Sequence, residues 1–208
     1  MRSQRATARP SRREEYSEST RAALVCSARE LFAESGYAET SLDAIAAVAR
    51  VTKGALYHHF PGGKKALFGA VFNQIEDEVH ERLVAQLNSA EGTPWEVGLA
   101  CLRTFLHLCI EPVYRRVVWQ EGPHVMGFGD WWECEERHAL GLIRSVLENL
   151  MESGDIERLP LEPLARTISG ALAGAATAIG LAADPEQVRA DFEQVITRLL
   201  LGLRPPRD

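Results

Sequence analysis

The sequence predicts an all-α protein with a small N-terminal helical domain and a larger C-terminal helical domain. Apolar residues recur every three to four positions along most of the 208-residue chain, which is the spacing of a buried helix face. Capping residues, prolines and glycines divide this pattern into separate helices. A hydrophobic content of 46% with 25% charged residues is typical of a soluble protein with a substantial core.

Charge is unevenly distributed along the chain. Residues 1–65 contain 11 Lys and Arg against 7 Asp and Glu, a balance of +4. Residues 66–208 contain 12 against 22, a balance of −10, which brings the whole chain to its net charge of −6. A basic N-terminal third in an acidic protein favours a local nucleic-acid surface.

Cysteine usage and the N-terminus both predict a cytoplasmic protein. No CxxC pair occurs among Cys26, Cys101, Cys109 and Cys134, as expected for reduced thiols in a cytosol. The N-terminal arginines precede no apolar segment of signal-peptide length, so we expect no export signal.

Residues 1–16 form a basic segment that we predict to be a flexible arm. It has little apolar surface that could pack, and its arginines are Arg2, Arg5, Arg9, Arg12 and Arg13. Such a segment is a solvated tail in the free protein. On DNA, its arginines could reach phosphates or the minor groove.

A first helix is predicted from about Ser17 to Gly36. Its buried face is formed by apolar side chains at helical spacing: Ala23, Leu24, Ala28, Leu31 and Phe32. Glycine after the last turn is a frequent C-cap because it adopts left-handed backbone angles without strain. We expect this helix to cover the two that follow.

Residues 40–60 predict two short helices joined by a tight turn at Arg50-Val51. Thr40 is expected to cap the first helix, with the Asp43 carboxylate reaching back to the cap. Thr52 is expected to cap the second helix, which runs to about residue 59.

The second of these helices has one inward and one open face. Leu56 and Phe60 point inward at positions i and i+4. The open face carries groups that can touch nucleic acid: Thr52, Lys53, Ala55, Tyr57 and His58. This is the arrangement of a helix-turn-helix whose second helix enters the major groove.

The same region resembles the N-terminal signature of the tetracycline-repressor (TetR) family. The matching positions are Gly36-Tyr37, Thr40-Ser41, Ile45-Ala46, Ala49, Val51-Thr52-Lys53-Gly54-Ala55-Leu56-Tyr57 and His59-Phe60. So many positions at fixed spacing make the signature specific. The resemblance implies an all-helical, homodimeric, one-component bacterial regulator whose C-terminal domain binds an effector.

The sequence departs from the family pattern in two places. Arg50 stands where the family usually has glycine, so a left-handed turn there would carry a small strain cost. The loop after Phe60 is one residue longer than the commoner form, and Lys65 replaces a usual acid.

The residues and the resemblance together predict a set of DNA contacts. Lys53 and Lys64 would reach phosphates or base edges, Tyr57 would bond a phosphate, and the Ala55 methyl group could meet thymine. The Thr52 amide lies at a helix N-terminus, which favours anions. The full predicted set is Thr40, Ser41, Thr52, Lys53, Gly54, Ala55, Tyr57, His58 and Lys64.

A long helix is predicted from near Lys64 until Glu91-Gly92. Its apolar residues follow a four-residue stride: Leu67, Val71, Ile75, Val79, Leu83 and Leu87. We therefore predict a helix-turn-helix domain over residues 17–62 and an effector-binding and dimerisation domain over residues 63–208, with residues 63–88 as the connecting helix.

Helix-capping residues, prolines and glycines divide the middle of the chain into separate helices. Thr93-Pro94-Trp95-Glu96 predicts a helix start with a capping box, and Pro112 interrupts that helix. A short apolar helix is expected over 114–120, followed by breaks at Gly122, Gly127 and Gly129. A longer helix is then expected from Trp132 to Ser153.

The last two helices predict a dimer interface. Residues 164–183 are almost wholly small and apolar, and Asp184-Pro185-Glu186-Gln187 starts the final helix with a capping box. The first stretch has the length of a membrane span, but weakly hydrophobic Gly and Ala favour a buried helix in a soluble protein. We expect a homodimer through helices at 160–183 and 185–203; both could instead bury only within their own subunit.

Residues 95–140 contain all four tryptophans and suggest an apolar pocket with a few polar groups. Core packing would explain many of these side chains. The resemblance implies an effector site in this domain, and we predict its lining as Phe105, His107, Tyr114, Trp119, Glu121, His124, Met126, Trp131 and Trp132. Glu121 with His124, and Cys134 with His138, are alternative metal ligands.

The resemblance implies a DNA-binding transcriptional regulator without enzyme activity or cofactor. We expect a repressor, released from a palindromic operator when a small, largely apolar or aromatic effector binds. The rival predictions are a helical dimeric enzyme or a metal-responsive sensor using central Glu, His and Cys residues, and an architectural DNA binder without a ligand. No nucleophile elbow, phosphate loop or HExxH pattern supports an enzyme.

Overall fold

The computed structural model describes residues 12–205, and within that range it is helical with no strand, which confirms the predicted all-α class. A π-helical segment, Arg115–Glu121, lies between two short α-helices. The α-helices are α1 (Arg12–Glu39), α2 (Leu42–Val48), α3 (Lys53–His59), α4 (Gly63–Ser89), α5 (Pro94–Leu108), α6 (Pro112–Tyr114), α7 (Gly122–Met126), α8 (Phe128–Glu152), α9 (Leu161–Leu181) and α10 (Pro185–Leu201).

The chain divides into two compact units, Met1–Val71 and Phe72–Asp208, with the division inside α4. The sequence placed a domain boundary nine residues earlier, at 62/63. The difference arises because the first turns of α4 bury Leu67 and Phe68 in the core of the first unit.

The first unit is a three-helix domain completed by the start of α4. Its core side chains are fully excluded from solvent: Leu24, Ala28, Phe32, Ile45, Leu56, Leu67 and Phe68. The rings of Phe32 and Phe68 meet edge to face with centroids 5.3 Å apart. Each buried side chain of this size contributes about 1.5–3 kcal/mol, so the core fixes how α2 and α3 lie against α1.

Helix α1 begins at Arg12, five residues before the predicted start at Ser17. The early residues are good helix formers, but they supply no apolar stripe from which the start could be recognised. Gly36 has φ 83° and interrupts the helical backbone angles, as expected for a helix-ending glycine. The rest of the predicted arm, residues 1–11, lies outside the described residues.

The predicted cap of α2 was wrong by one residue. The Ser41 hydroxyl, not that of Thr40, accepts a hydrogen bond from the Ala44 amide at 3.1 Å. Thr40 is buried, and its hydroxyl donates to the Gly36 carbonyl at 2.7 Å. Thr40 therefore ties the end of α1 to the start of α2.

The turn between α2 and α3 requires a left-handed residue, and Arg50 supplies it with φ 56°. It is the one non-glycine residue with positive φ in the part of the chain described. The Val51 amide donates to the Ala46 carbonyl at 3.0 Å, and the Arg50 amide donates to that of Ala47 at 3.2 Å. These two bonds form a Schellman motif, which satisfies the carbonyls at the end of α2.

Both predicted features of α3 that depend on local sequence are present. The Thr52 hydroxyl caps the helix by accepting from the Ala55 amide at 3.2 Å, and the helix ends at His59. Leu56 and Phe60 point into the core, which leaves the opposite face of α3 open to solvent.

The second unit is a helical bundle in which α9 packs against α8, α10 and the π-helical segment. One core cluster consists of Leu140, Leu147, Leu150, Ile156 and Ala165. By length and composition α9 could also cross a membrane, with a mean hydropathy of 1.3. In this unit its buried residues, among them Ala175, Ala176 and Ile179, lie against neighbouring helices.

Two predicted capping boxes have different outcomes. At the start of α5, the Thr93 hydroxyl and the Glu96 carboxylate each accept from the other residue's amide, at 3.3 and 2.8 Å, which confirms the box. At the start of α10, Asp184 accepts from the Gln187 amide at 3.1 Å. The Gln187 side chain donates to Asp191 instead of returning to the cap, so that half of the prediction was wrong.

The region around residue 120 differs from the regular helix predicted over 114–120. Its π-helical segment approaches α9 so closely that a Cβ on Gly180 would lie 3.0 Å from the Trp119 Cβ. Arg115 and Gln120 both donate to the Gly180 carbonyl, at 2.9 and 2.6 Å. These side chains satisfy a carbonyl in the last turn of α9, which has no partner within its own helix.

Helix α8 begins at Phe128, four residues before the predicted start at Trp132. Gly127, with φ 94°, breaks the chain there, whereas the other predicted breakers, Gly122 and Gly129, lie at the start of α7 and inside α8.

Replacing Arg50 by glycine should stabilise the first unit, because glycine removes the strain of the left-handed backbone. We expect the free energy of unfolding to rise by about 0.5–1 kcal/mol, measured by urea unfolding followed by circular dichroism. Ala47→Gly, in the helical part of α2, is the matched control and should lower stability by a similar amount. A loss of stability in Arg50→Gly would contradict strain at this turn.

Candidate nucleic-acid surface and ligand cavity

The open face of α3 carries most of the predicted DNA-contact residues. Thr52, Lys53, Gly54, Tyr57 and His58 are exposed, and Ala55 is half-buried at the edge of the face. Tyr57 keeps 45% of its surface exposed, so its ring and hydroxyl are accessible on this face. Ser41 is also exposed, although its hydroxyl already caps α2.

The Lys53 ammonium is paired with the Asp43 carboxylate at 2.8 Å. This hydrogen bond raises the pKa of Lys53, so the side chain is fully charged. Both side chains remain more than half exposed, and such surface pairs contribute little free energy. Lys53 can therefore exchange this carboxylate for a phosphate at small cost.

Two predicted contacts have structural partners instead. Thr40 is buried against the end of α1, as described above, so its side chain does not reach the exposed surface. The Lys64 ammonium donates to the carbonyls of Tyr37, Ala38 and Thr40, at 2.6, 3.2 and 2.8 Å. An ammonium has three donors, so these three carbonyls occupy Lys64 at the end of α1 and leave it no donor for a DNA phosphate.

The second unit contains a cavity with about 140 Å³ of space for the centres of water molecules. Its wall is mostly apolar and comes from α4, α5, α6, α8, α9, α10 and the π-helical segment. Aromatic rings on the wall belong to Trp95, Phe105, Tyr114, Trp119 and Trp132, and the ionisable residues on it are Glu76, His80, Cys101, Glu135, Glu136 and His138.

Four of the nine predicted lining residues reach this cavity: Phe105, Tyr114, Trp119 and Trp132. His107 and His124 are exposed, and a ring nitrogen of His124 lies 3.1 Å from the Gln120 carbonyl oxygen. Trp131 is buried behind the wall and donates to the Val118 carbonyl at 3.1 Å. Glu121 and Met126 also lie away from the cavity, with Glu121 3.8 Å from Arg116.

Sequence reasoning missed the two most unusual residues of the wall, Glu76 and Glu135. A signal was present, because Glu76 lies four residues after Phe72 and three before Val79, on the apolar stripe of α4. Glu135 likewise lies four residues after Trp131 on α8. A carboxyl on an apolar helix face is costly to bury, so such positions point to a site.

The two carboxyls lie in almost complete isolation from water. Glu76 is 3% exposed and Glu135 is 8% exposed, and the Oε1 atom of each has no hydrogen-bond partner among residues 12–205. Burial raises the pKa of Glu76 to about 8, against the lowering effect of a hydrogen bond from Tyr114. Burial and the neighbouring Glu76 raise the pKa of Glu135 well above its usual range.

Histidines at the edge of the cavity bond to nearby groups. His138 places its Nδ1 atom 2.8 Å from the Cys134 carbonyl oxygen and its Nε2 atom 3.4 Å from Asp77. His80 Nδ1 lies 3.2 Å from the His138 carbonyl oxygen. Within residues 12–205, no group of three or more His, Cys, Asp and Glu side chains is arranged to hold a metal ion.

Comparison with known proteins agrees with this combination of a helix-turn-helix and a helical cavity domain. Residues 24–71 match the family described as bacterial regulatory proteins, tetR family. Residues 95–203 match the tetracyclin repressor-like C-terminal domain. The chain belongs to the TetR family. Its members are DNA-binding transcriptional regulators, not a class of enzymes, and they form dimers and bind small-molecule ligands.

A solved TetR-family regulator from Pectobacterium atrosepticum is similar along nearly the whole chain. It is 37% identical, with a TM-score of 0.83, and the match covers 95% of this chain and 100% of that one. The Tn10 TetC protein of Escherichia coli is 27% identical over 76% of this chain and 78% of its own. RolR, solved in complex with resorcinol, shares the fold at 23% identity and a TM-score of 0.67, covering 93% of this chain and 98% of its own.

The buried Glu76 should make the stability of this TetR-family protein fall as pH rises. Its pKa in the folded state, about 8, is raised from an ordinary value of 4.5. The contribution of the neutral Glu76 carboxyl to the free energy of unfolding is therefore fully present below pH 4.5. It is lost progressively as pH rises through 8, where the buried carboxyl ionises. One such group changes the free energy of unfolding by at most about 1.4 kcal/mol per pH unit.

We expect Glu76→Gln to flatten this dependence in urea unfolding measured between pH 5 and pH 8.5. Glu133→Gln, on the exposed side of α8, should leave the dependence as in the parent chain. Parallel curves for the parent chain and Glu76→Gln would show that Glu76 is not buried as a neutral acid.

Proposed function

We propose that this chain is a cytoplasmic repressor that leaves a palindromic operator when a small, largely apolar or aromatic molecule occupies the cavity. The observation that carries the proposal is the double contribution of α4. Its first turns supply Leu67 and Phe68 to the core beneath the recognition helix, and its next turns supply Glu76 and Val79 to the cavity wall.

The proposed DNA surface consists of Ser41, Thr52, Lys53, Gly54, Ala55, Tyr57 and His58. A recognition helix of this length touches only a few base pairs. Gly54 lies in the first turn of α3, where the absence of a side chain lets a DNA backbone approach the helix N-terminus. Lys53 supplies the positive charge, and Tyr57 supplies a hydroxyl that can donate to phosphate.

The proposed dimer interface is an exposed face of α9 and α10. Large apolar side chains there remain exposed in the single chain: Leu181 at 71%, Val195 at 55% and Leu199 at 61%. Gly170 and Gly174 lie on the exposed side of α9. A Cβ atom added to either would have no described atom within 4 Å. Small residues flanked by exposed apolar ones favour close packing against an identical helix pair.

Two recognition helices related by this two-fold axis would read half-sites about one DNA turn apart. A ligand shifts this equilibrium only if it binds the DNA-competent and DNA-incompetent arrangements with different affinities. The small aromatic ligand of RolR, resorcinol, supports an effector of comparable size here.

Lys53→Ala should weaken binding to DNA from around the chain's own gene. Removing one phosphate contact per subunit should also flatten the log–log salt dependence of the affinity by about 0.9 for each phosphate lost. Fluorescence anisotropy over a salt series measures both quantities. Arg137→Ala removes the same charge from α8 in the second unit and is the control that should leave the salt slope unchanged.

Asp43→Asn provides the reciprocal variant, because it frees Lys53 from its carboxylate and removes a charge that repels DNA. We expect tighter binding than in the parent chain. Unchanged binding in both Lys53→Ala and Asp43→Asn would exclude Lys53 from the DNA surface.

Leu199→Glu should dissociate the dimer, because each subunit would then bury a charged side chain in an interface from which water is excluded. Sedimentation velocity should show the parent chain at twice its mass of 23.0 kDa and the variant at the single-chain mass. Leu159→Glu, in the exposed segment between α8 and α9, is the matched control and should stay dimeric. A dimeric Leu199→Glu would place the interface elsewhere.

A further inference from the structure

Three buried side-chain polar atoms in the described part of the chain have no hydrogen-bond partner: Oε1 of Glu76, Oε1 of Glu135 and Nε1 of Trp119. All three residues line the cavity, and the two carboxyls carry its buried acidic chemistry. Glu76 and Glu135 are both more than nine-tenths buried and line the cavity, and each has an Oε1 atom without a hydrogen-bond partner in the described part of the chain. An unpaired polar atom in an apolar site loses its hydration and gains nothing in return. A ligand in the cavity can supply the missing partner.

Basic side chains of the wall do not supply that partner. The described lining includes two histidines, and His138 lies between the Cys134 carbonyl and the Asp77 carboxylate. The other, His80, lies against the His138 carbonyl. The Arg115 guanidinium, on the neighbouring segment, donates to the carbonyls of Gly180 and Ala182.

The two buried carboxyls determine which ligand charge the cavity favours. Glu76 and Glu135 interact with each other through the low-dielectric interior, and two carboxylates in one site cannot both ionise without a nearby positive charge. Without a bound cation, the pair therefore favours the protonated form. A ligand cation would stabilise the ionised forms and take the place of the proton.

Aromatic rings on the wall fit the same kind of ligand. Trp119 and Tyr114 lie edge to face with centroids 6.0 Å apart, and further rings come from Trp95, Phe105 and Trp132. Ring faces attract cations, most strongly where water is excluded. The remaining apolar wall suits a hydrocarbon or aromatic body.

We propose that the cavity binds an organic cation, in which an apolar or aromatic body carries a protonated amine that donates hydrogen bonds to Glu76 and Glu135. This assignment of ligand class deepens the proposed function, because the cation would be the effector.

The first test compares three probes that share one body: 4-phenylbutylamine, 4-phenylbutanol and 4-phenylbutyrate. Binding to the purified chain without DNA is followed by tryptophan fluorescence and calorimetry at pH 7.5. We expect the amine to bind at least about tenfold more tightly than the alcohol, since charge-assisted hydrogen bonds are about twice as strong as neutral ones. The carboxylate probe should bind most weakly.

Substitutions of the two carboxyls test whether they cause the preference for the amine over the alcohol. Glu76→Gln and Glu135→Gln should each weaken amine binding about tenfold or more and leave alcohol binding within about twofold. Glu133→Gln on the exposed side of α8 is the control and should bind all three probes as the parent chain does. Unchanged alcohol binding in the Gln variants also reports that the cavity remains folded.

Proton release provides a second readout. Calorimetry in two buffers of different ionisation enthalpy should show protons released on amine binding and none on alcohol binding. The titratable and charged groups around the pair are Asp77 and His80 on α4, Cys109 and Tyr114 after α5, and Glu136 and His138 on α8. Loss of the release in Glu76→Gln and Glu135→Gln assigns it to the pair.

Equal affinity for amine and alcohol, tightest binding of the carboxylate, or unchanged amine binding in both Gln variants would each overturn the cation assignment. These outcomes are independent of DNA binding. If the amine binds through the two carboxyls but does not weaken DNA binding, the site assignment stands and the proposed repressor mechanism fails.

Discussion

Helix α4 is the constraint on which the proposed behaviour of the protein depends. Phe68 in the first unit's core and Glu76 in the cavity wall belong to one uninterrupted helix. They are eight residues, or roughly 12 Å, apart along its axis. On the proposed mechanism, a ligand that displaces the cavity-lining turns acts through this helix on the turns that support α3, because a hydrogen-bonded helix does not deform locally at low cost. On the proposed mechanism, α4 is the two-state element that both ligands bias.

The buried carboxyl pair shows that residues suited to binding a ligand can lower the stability of the folded protein. Glu76 and Glu135 occupy positions where an apolar residue would pack without an electrostatic cost, and burying their unpaired oxygens costs free energy that apolar side chains would not. Local rules of core composition are broken in this way mainly at sites that bind or react. A bound cation would satisfy both carboxyls, and the binding free energy would then appear as added stability of the liganded protein.

Local sequence predicted the backbone better than it predicted the partners of individual side chains. The Thr52 cap and the Thr93–Glu96 capping box follow from residues within four positions of each other, and such signals need no knowledge of the fold. The left-handed backbone at Arg50 was expected only from the glycine that the resembling family usually has there. The cap at Ser41 was misplaced because Thr40 has the same chemistry, and only burial against α1 distinguishes the two.

Longer-range contacts could not be predicted in this way. Lys64 bonds to carbonyls 24 to 27 positions earlier in the chain, a distance at which periodicity carries no information. The cavity lining was inferred from where aromatic residues are dense, which found Phe105, Tyr114, Trp119 and Trp132 but also selected the exposed His107 and His124. The position of Glu76 on an apolar helix face would have identified the cavity wall better, because it depends on geometry and not on composition.

The coupling between the two binding sites is tested most directly by measuring both affinities on the same protein. A compound that binds the cavity is titrated into the free chain and into its complex with DNA from around its own gene, and DNA affinity is measured with and without saturating compound. We predict that the compound weakens DNA binding and that DNA weakens compound binding by the same factor, as linkage requires. A compound that fills the cavity and leaves DNA affinity unchanged would contradict the coupling through α4.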